Sequence, residues 1–220
     1  MQSDQSVHVL SLLSHELRGP LGVIRGYLRL LEQTGPDLSA QHRQAVSAAL
    51  KASDRAADLL TQTSMLAQLQ RRETPLDFKP VALKDLLTIA VEGSRAAGPP
   101  AVRLEMSEVP ATQVAADATL LQGALAALVA AVVRAQARDT TVNIAAAAHA
   151  RDGIAGVTIT IATDASAAAL TECALDITRG GLGLDLPIAQ HLMGAHGGEL
   201  RELRDGDRYA GMVVWLPTTS

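Results

Sequence analysis

The sequence predicts a helical hairpin that pairs with its twin into a four-helix bundle, followed by an α+β sandwich. Three observations carry this. Leu10, Leu13, Leu17, Leu21, Ile24, Leu28 and Leu31 recur at three- and four-residue steps, the spacing that gathers side chains on one stripe of a helix. Ala45, Ala49, Ala52, Ala56, Leu59, Thr63 and Leu66 alternate steps of four and three, which is a heptad seam asking for a partner helix. Beyond Pro80, helix-like and strand-like patterns are interleaved.

The first helix should stop at Gln33-Thr34-Gly35-Pro36-Asp37, a turn signal. Ser39 is then the expected N-cap of the second helix. One hairpin cannot bury two apolar seams, and pairing with a second copy solves that economically. The hairpin is assigned to residues 1–72. Arg71-Arg72-Glu73-Thr74-Pro75 closes it, and residues 73–80 read as a linker. Residues 81–220 form the second domain. Within it, 83–97 and the nearly all-apolar 120–135 read as helices, the latter buried. Residues 102–106, 142–148, 156–162 and 212–216 alternate like strands. A helix over 186–195 is closed by Gly197-Gly198.

Composition narrows the function. The hydrophobic share is 48%, enough for a proper core, yet the chain holds one Trp, two Tyr and one Phe. Such a core relies on Ala, Leu and Val. A net charge of −4 argues against nucleic-acid binding, which needs a basic face. A single cysteine, Cys173, excludes a disulfide framework and a cysteine zinc site, and fits a cytoplasmic setting. The polar start MQSDQS is unlike a signal peptide. The longest apolar run, 124–133, is short of the roughly 20 residues of a membrane span. No membrane segment is expected.

The chemistry lies in Ser14-His15-Glu16-Leu17-Arg18-Gly19-Pro20-Leu21. His15 falls between Leu13 and Leu17, off the apolar stripe, so its ring is expected in solvent. Imidazole is nucleophilic in its neutral form, which is available near neutral pH. A carboxylate at Glu16 can take the proton of one ring nitrogen and leave the other to attack. Pro20 removes a helical hydrogen bond and is expected to bend the helix. A lone His-Glu pair is an ordinary surface feature; the whole segment is not. It resembles the phosphoacceptor box of sensor histidine kinases, and Ile24-Arg25-Gly26-Tyr27-Leu28 matches the continuation of that box.

The resemblance extends through the rest of the chain, where it implies the kinase family's ATP-binding domain. It implies that His15 carries phosphate and Glu16 assists. It also points to Arg18, Gly22 and Arg25 as contacts for response-regulator receiver domains. Gly19 stands where the family usually has Thr or Asn, which implies weak phosphatase activity. Gly181-Leu182-Gly183-Leu184-Asp185-Leu186-Pro187-Ile188-Ala189 resembles the second glycine box. Asp185 there replaces an expected glycine and brings negative charge close to where phosphates would lie. His196, before the Gly-Gly stop, reads as structural.

The other nucleotide motifs depart from the family. Its asparagine box aligns with Gln122–Ala131, but both asparagines are alanine, at Ala126 and Ala130. The second normally holds Mg²⁺, and alanine offers no ligand atom. In place of Asp-x-Gly-x-Gly the chain has Thr163-Asp164-Ala165-Ser166-Ala167-Ala168. The adenine-reading position falls on Thr163, or on Asp164 with a one-residue shift. The stretch 170–179 is short for an ATP lid.

The degenerate nucleotide site therefore comprises Ala126, Ala130, Thr163, Asp164, Gly181, Gly183 and Asp185, with neither ATP nor Mg²⁺ expected to bind. The preferred reading is a homodimeric histidine phosphotransferase that moves phosphate between receiver domains through His15. Two alternatives stay open. One is a divergent, active ATP-dependent kinase, supported by Asp164 and the second glycine box. The other is a non-enzymatic scaffold, against which the intact His-Glu pair counts.

Overall fold

The computed structural model describes residues 2–34, 38–71, 75–95, 100–106, 109, 111–163, 170–177 and 184–219, without the side chains of 2–11, 34 and 94–95. The chain divides into two compact units, Met1–Thr74 and Pro75–Ser220.

The first unit is two helices, α1 (Gln2–Thr34) and α2 (Ala40–Gln70), packed along each other. α1 remains helical through Pro20. The Ser39 hydroxyl accepts a hydrogen bond from the His42 amide at 3.3 Å, which satisfies one of the free donors at the start of α2. The predicted α1 stripe is split between two faces. Leu21 and Leu28 are half-buried against α2, together with Arg25 and the fully buried Ser14. Leu13, Leu17, Ile24 and Leu31 are each about half exposed or more. The α2 seam needs a similar correction. Its later members Ala56, Leu59, Thr63 and Leu66 are half-buried, as are Val46, Leu50, Ala57, Leu60 and Ser64, and Ser53 and Ala67 are buried, whereas Ala45, Ala49 and Ala52 are exposed. Each helix carries more apolar surface than the hairpin covers.

The second unit is an α+β sandwich. Its strands are β1 (Lys79–Ala82), β2 (Ala101–Glu105), β3 (Gln113–Ala116), β4 (Thr141–Ala148), β5 (Gly156–Thr163), β6 (Thr171–Cys173), β7 (Glu199–Asp205) and β8 (Arg208–Pro217). Its helices are α3 (Leu83–Arg95), α4 (Ala118–Ala135) and α5 (Asp185–Ala195). Six strands form one sheet in the order β2-β4-β5-β8-β7-β6, with β1 and β3 as a separate two-stranded ribbon. Only β2 and β4 run parallel in the large sheet. In register, Ile144 faces Ile161, which faces Met212. Ala146, Ile159 and Val214 form the next row. Both rows are buried, as period-two alternation demands of a sheet face under helices. Leu121, Leu125, Leu128 and Val129 of α4 are fully buried as well.

β1, β3, β6 and β7 were not legible in the pattern, and β1 begins at Lys79, inside the stretch expected to be linker. α4 starts earlier than expected, at Ala118, and its 18 residues are apolar enough to cross a membrane by length and composition. Its packing against β5 and β8 explains that composition as a core helix. The Gly197-Gly198 stop has two separate reasons. Gly197 has φ +72°, the left-handed region. A Cβ on Gly198 would lie 2.4 Å from the Trp215 carbonyl oxygen.

One polar node joins the start of α4 to the end of α5. The Asp117 carboxylate accepts from the Leu120 amide at 3.1 Å and from the Asp77 amide at 3.3 Å. The Asp117 amide donates to His196 Nε2 at 3.2 Å, while His196 Nδ1 lies 2.7 Å from the Leu192 carbonyl. His196 is buried. Both ring nitrogens are satisfied by the tautomer with its proton on Nδ1, so the expected structural role fits its contacts. The Leu120 amide, aided by that of Asp77, holds the Asp117 carboxyl below its ordinary value against the opposing effect of burial.

Asp117→Ala should cost the second unit about 1 kcal/mol, seen as a lower urea midpoint for the full chain. A carboxylate lowered in the folded state contributes stability that is complete above its unfolded value, near 3.8, and is lost as pH falls through the folded one. The wild type should therefore lose more stability than Asp117→Ala below about pH 4. Equal acid losses in the two proteins would remove Asp117 as the cause.

Candidate functional site

His15 stands on α1 with its side chain 80% exposed. The residues flanking it explain how. Ser14 turns into the hairpin and is 1% exposed, and one residue along a helix is about 100° around it. His15 therefore points away from α2. Its Nδ1 lies 3.4 Å from Glu16 Oε1, long for a hydrogen bond and open to water, but close enough to favour a proton on Nδ1. Nε2 then keeps the lone pair.

Arg18 lies one turn on. Its guanidinium donates to the Ser64 hydroxyl of α2 at 3.0 Å, and Ser64 in turn donates to the Leu60 carbonyl at 3.0 Å. His15, Glu16, Arg18 and Gly19 line one open depression of about 390 Å³. Arg18, Leu21, Gly22, Arg25, Ala57 and Thr61 line a second, of about 250 Å³. Arg18 borders both, so the five hairpin residues singled out from the sequence form one continuous strip of surface. Arg25 Nε is 3.0 Å from Asp54 Oδ1, and Arg29 reaches the same oxygen at 3.9 Å. Ser64 and Asp54 were not foreseen as site residues. They act from α2 across the hairpin, and nothing local in the sequence marks that contact.

The second unit places the nucleotide-motif residues as follows. Ala126 and Ala130 are four residues apart on α4 and share one half-buried face. Asp185 opens α5 and is 25% exposed, 3.9 Å from Arg134 at the far end of α4. Thr163 ends β5 and lines a cavity of about 340 Å³ with Asp139, Thr140, Thr141, Asp205, Arg208, Tyr209 and Ala210. Asp164, Ala165, Ala167, Gly181 and Gly183 lie outside the described residues. Among the described residues no group of three or more His, Cys, Asp or Glu is placed to hold a metal ion. Ala126 and Ala130 present only methyl groups, which offer a metal no ligand atom.

Comparison with known proteins agrees with this geometry. The family "His Kinase A (phospho-acceptor) domain" matches residues 7–72. The phosphate regulon sensor protein PhoR of Pseudomonas aeruginosa is 32% identical over 118 residues, 53% of this chain and 27% of that protein. The probable sensor histidine kinase TcrY of Mycobacterium tuberculosis is 37% identical over 86 residues, 39% of this chain and 18% of that protein. The chain thus spans about a quarter or less of these relatives. Among solved structures, full-length ShkA in complex with AMPPNP superposes with a TM-score of 0.66 at 24% identity, over 97% of this chain and 46% of that one. The Acinetobacter baumannii histidine kinase AdeS gives 0.58 at 14% identity, over 94% and 98%. At these identities the superpositions show a shared fold. Residues 7–72 thus match the His Kinase A phosphoacceptor family model, and the chain as a whole shares its fold with these histidine kinase structures.

Proposed function

We propose that this chain is a homodimeric histidine phosphotransferase that relays phosphate between response-regulator receiver domains through His15, without ATP. The observation that carries this is a contrast. The exposed His15–Glu16 pair is complete, while methyl groups stand at Ala126 and Ala130, the second of which is where the kinase resemblance places a metal ligand.

The transfer needs little from the protein. The donor is a receiver whose aspartate carries phosphate. His15 Nε2 attacks the phosphorus, the bond to the aspartyl oxygen breaks, and the aspartate leaves as a carboxylate. The imidazole gains a positive charge as the N–P bond forms, and Glu16 takes up the Nδ1 proton. The reverse sequence delivers phosphate to a second receiver. The donor and acceptor receivers supply Mg²⁺. Arg18 and Arg25, held by Ser64 and Asp54, offer fixed cations along the strip where a receiver would dock.

The dimer is supported by the uncovered face of α1. Leu12, Leu13, Leu17, Val23, Ile24, Tyr27, Leu30 and Leu31 are all exposed on this one helix, more apolar surface than soluble monomers usually leave in one patch. Leu17→Glu should convert the dimer to a monomer, by mass in solution at micromolar concentration. A dimer that survives the substitution would place the interface elsewhere.

His15→Ala should abolish labelling by a radiolabelled phospho-receiver with fold and dimer unchanged, since an exposed helical site accepts alanine. Glu16→Gln should slow transfer by about 10²-fold without stopping it. Label on another residue, or none from any receiver tried, would sink the relay. The second reading is an ATP-dependent kinase. It is favoured by the sensor histidine kinase name of TcrY and by the AMPPNP bound to ShkA. Calorimetry decides between them: millimolar ATP with Mg²⁺ should give no heat of binding, and saturable binding or labelling of His15 by ATP would establish the kinase instead.

A further inference from the structure

We propose that Ser64 is a positioning residue, and that the Arg18 guanidinium it holds is the binding group for a phosphoryl group on His15. This role presupposes that His15 carries phosphate, as in the proposed relay, and is independent of where the phosphate comes from. Arg18 follows His15 by three residues, which places the two about 60° apart around α1 and on neighbouring turns. Both line one open depression of about 390 Å³ with Glu16 and Gly19. Arg18 is the permanent cation of the four.

A phosphoryl group on His15 would bring negative charge into a depression that already holds the Glu16 carboxylate. Like charges repel, and a guanidinium beside them offsets the repulsion. A long exposed side chain loses rotamer freedom when it is held in one place. The contact across the hairpin meets that cost before phosphate arrives. Arg18 Nη2 donates to the Ser64 hydroxyl at 3.0 Å, and that hydroxyl donates to the Leu60 carbonyl one turn back at 3.0 Å. The hydroxyl proton is thus committed to α2, and the oxygen lone pair receives Arg18. Ser64 is half-buried, so the packing of α2 fixes the anchor. A guanidinium carries five N–H donors, and one bond to Ser64 leaves others for phosphate oxygens. Gly19 adds no side chain, and a Cβ there would meet nothing within 4 Å. The depression beside Arg18 therefore has room for the phosphoryl oxygens.

The test uses the full-length chain as wild type, Arg18→Gln, Ser64→Ala and Ser64→Thr. Each is treated with phosphoramidate, whose phosphoryl group passes to imidazole nitrogen as ammonia leaves. Mass spectrometry maps the label, and His15→Ala identifies the phospho-His15 signal by its loss. The readout is the second ionisation of that phosphoryl group, followed by phosphorus NMR against pH. Arg18 is exposed and Ser64 half-buried, and Gln and Ala are good helix formers, so the variants should fold, with circular dichroism as the check. The midpoint should rise by about half a pH unit in Arg18→Gln, the scale of an ion pair in contact with water. Ser64→Ala should move part of the way, because the guanidinium is released but still present. Ser64→Thr should restore the wild-type midpoint, because it keeps the hydroxyl. The difference between wild type and Arg18→Gln should shrink in 1 M salt, where charges are screened within about 3 Å. Equal midpoints in wild type and Arg18→Gln would overturn the phosphoryl site and leave the relay intact. A midpoint unmoved in Ser64→Ala would overturn the role of Ser64. A shifted wild-type midpoint in a protein that takes no label from any phospho-receiver would keep Arg18 in its role and sink the relay. Label on other histidines with none on His15 would overturn both.

Discussion

The leucines on either side of His15 have to leave water while the imidazole has to stay in it. On one helix the two demands meet only if neighbouring residues point to different surroundings. Ser14 turns toward α2 and is buried; His15, one residue on, is 80% exposed. Leu13 and Leu17 then point to a third direction, which the hairpin leaves uncovered. Burying a leucine side chain fully is worth about 1.5–3 kcal/mol, so a face of several leucines and isoleucines is a strong drive to associate. A twin hairpin satisfies that drive without covering His15, because the leucines and the histidine lie on different sides of α1. On the proposed function, dimerisation and phosphoryl transfer are in this sense one design constraint on one helix.

The second unit depends on a smaller constraint, the backbone groups at the ends of its helices. α4 starts with free amides, and the Asp117 carboxylate meets the one at Leu120. The same residue fixes His196 through its own amide, and His196 holds the Leu192 carbonyl at the end of α5. Phe78, the one phenylalanine of the chain, lies edge-on to the His196 ring at 5.3 Å between centroids. The segment leading into β1 is thereby tied to the ends of two helices. Gly197 and Gly198 then let the chain reverse tightly against Trp215. The cluster was visible in the sequence only as a helix stop. Its partners are up to 79 residues apart, and spacing alone does not report contacts of that range.

How much of the molecule could be read in advance follows from the range of the interactions involved. The long helices and the Ser39 cap depend on local periodicity and local hydrogen bonds, and they were legible; the turn expected at Gly35-Pro36-Asp37 lies outside the described residues. So were β4, β5 and α5, whose alternation or capping glycines are clean. β1 was hidden by Pro80 and lies in a short ribbon. β7 was hidden because Glu202 is fully buried in the middle of it and pairs with Arg204, so a charged residue occupies a core position and masks the alternation. A bulge between Leu203 and Arg204 breaks the period again. On the hairpin, His15 and Glu16 were legible from the motif. The contacts of Ser64 with Arg18 and of Asp54 with Arg25 were not, since they exist only between helices.

The two units also differ in how tightly chemistry and fold are bound together. In α4 the residues that hold the sheet are Leu121, Leu125, Leu128 and Val129, all fully buried. Ala126 and Ala130 lie on another, half-buried face. Polar side chains held ready for a metal there would carry a desolvation cost whenever the metal was absent, and alanine, the best helix former, removes it. The sandwich therefore keeps its core whatever happens to that face, which is why a clear fold likeness to kinases is compatible with a domain that does not use ATP. The hairpin has no such latitude. Moving the apolar face of α1 by one residue would turn it about 100°, bringing His15 toward burial and Ser14 toward solvent. In the hairpin the fold itself sets whether the histidine can react.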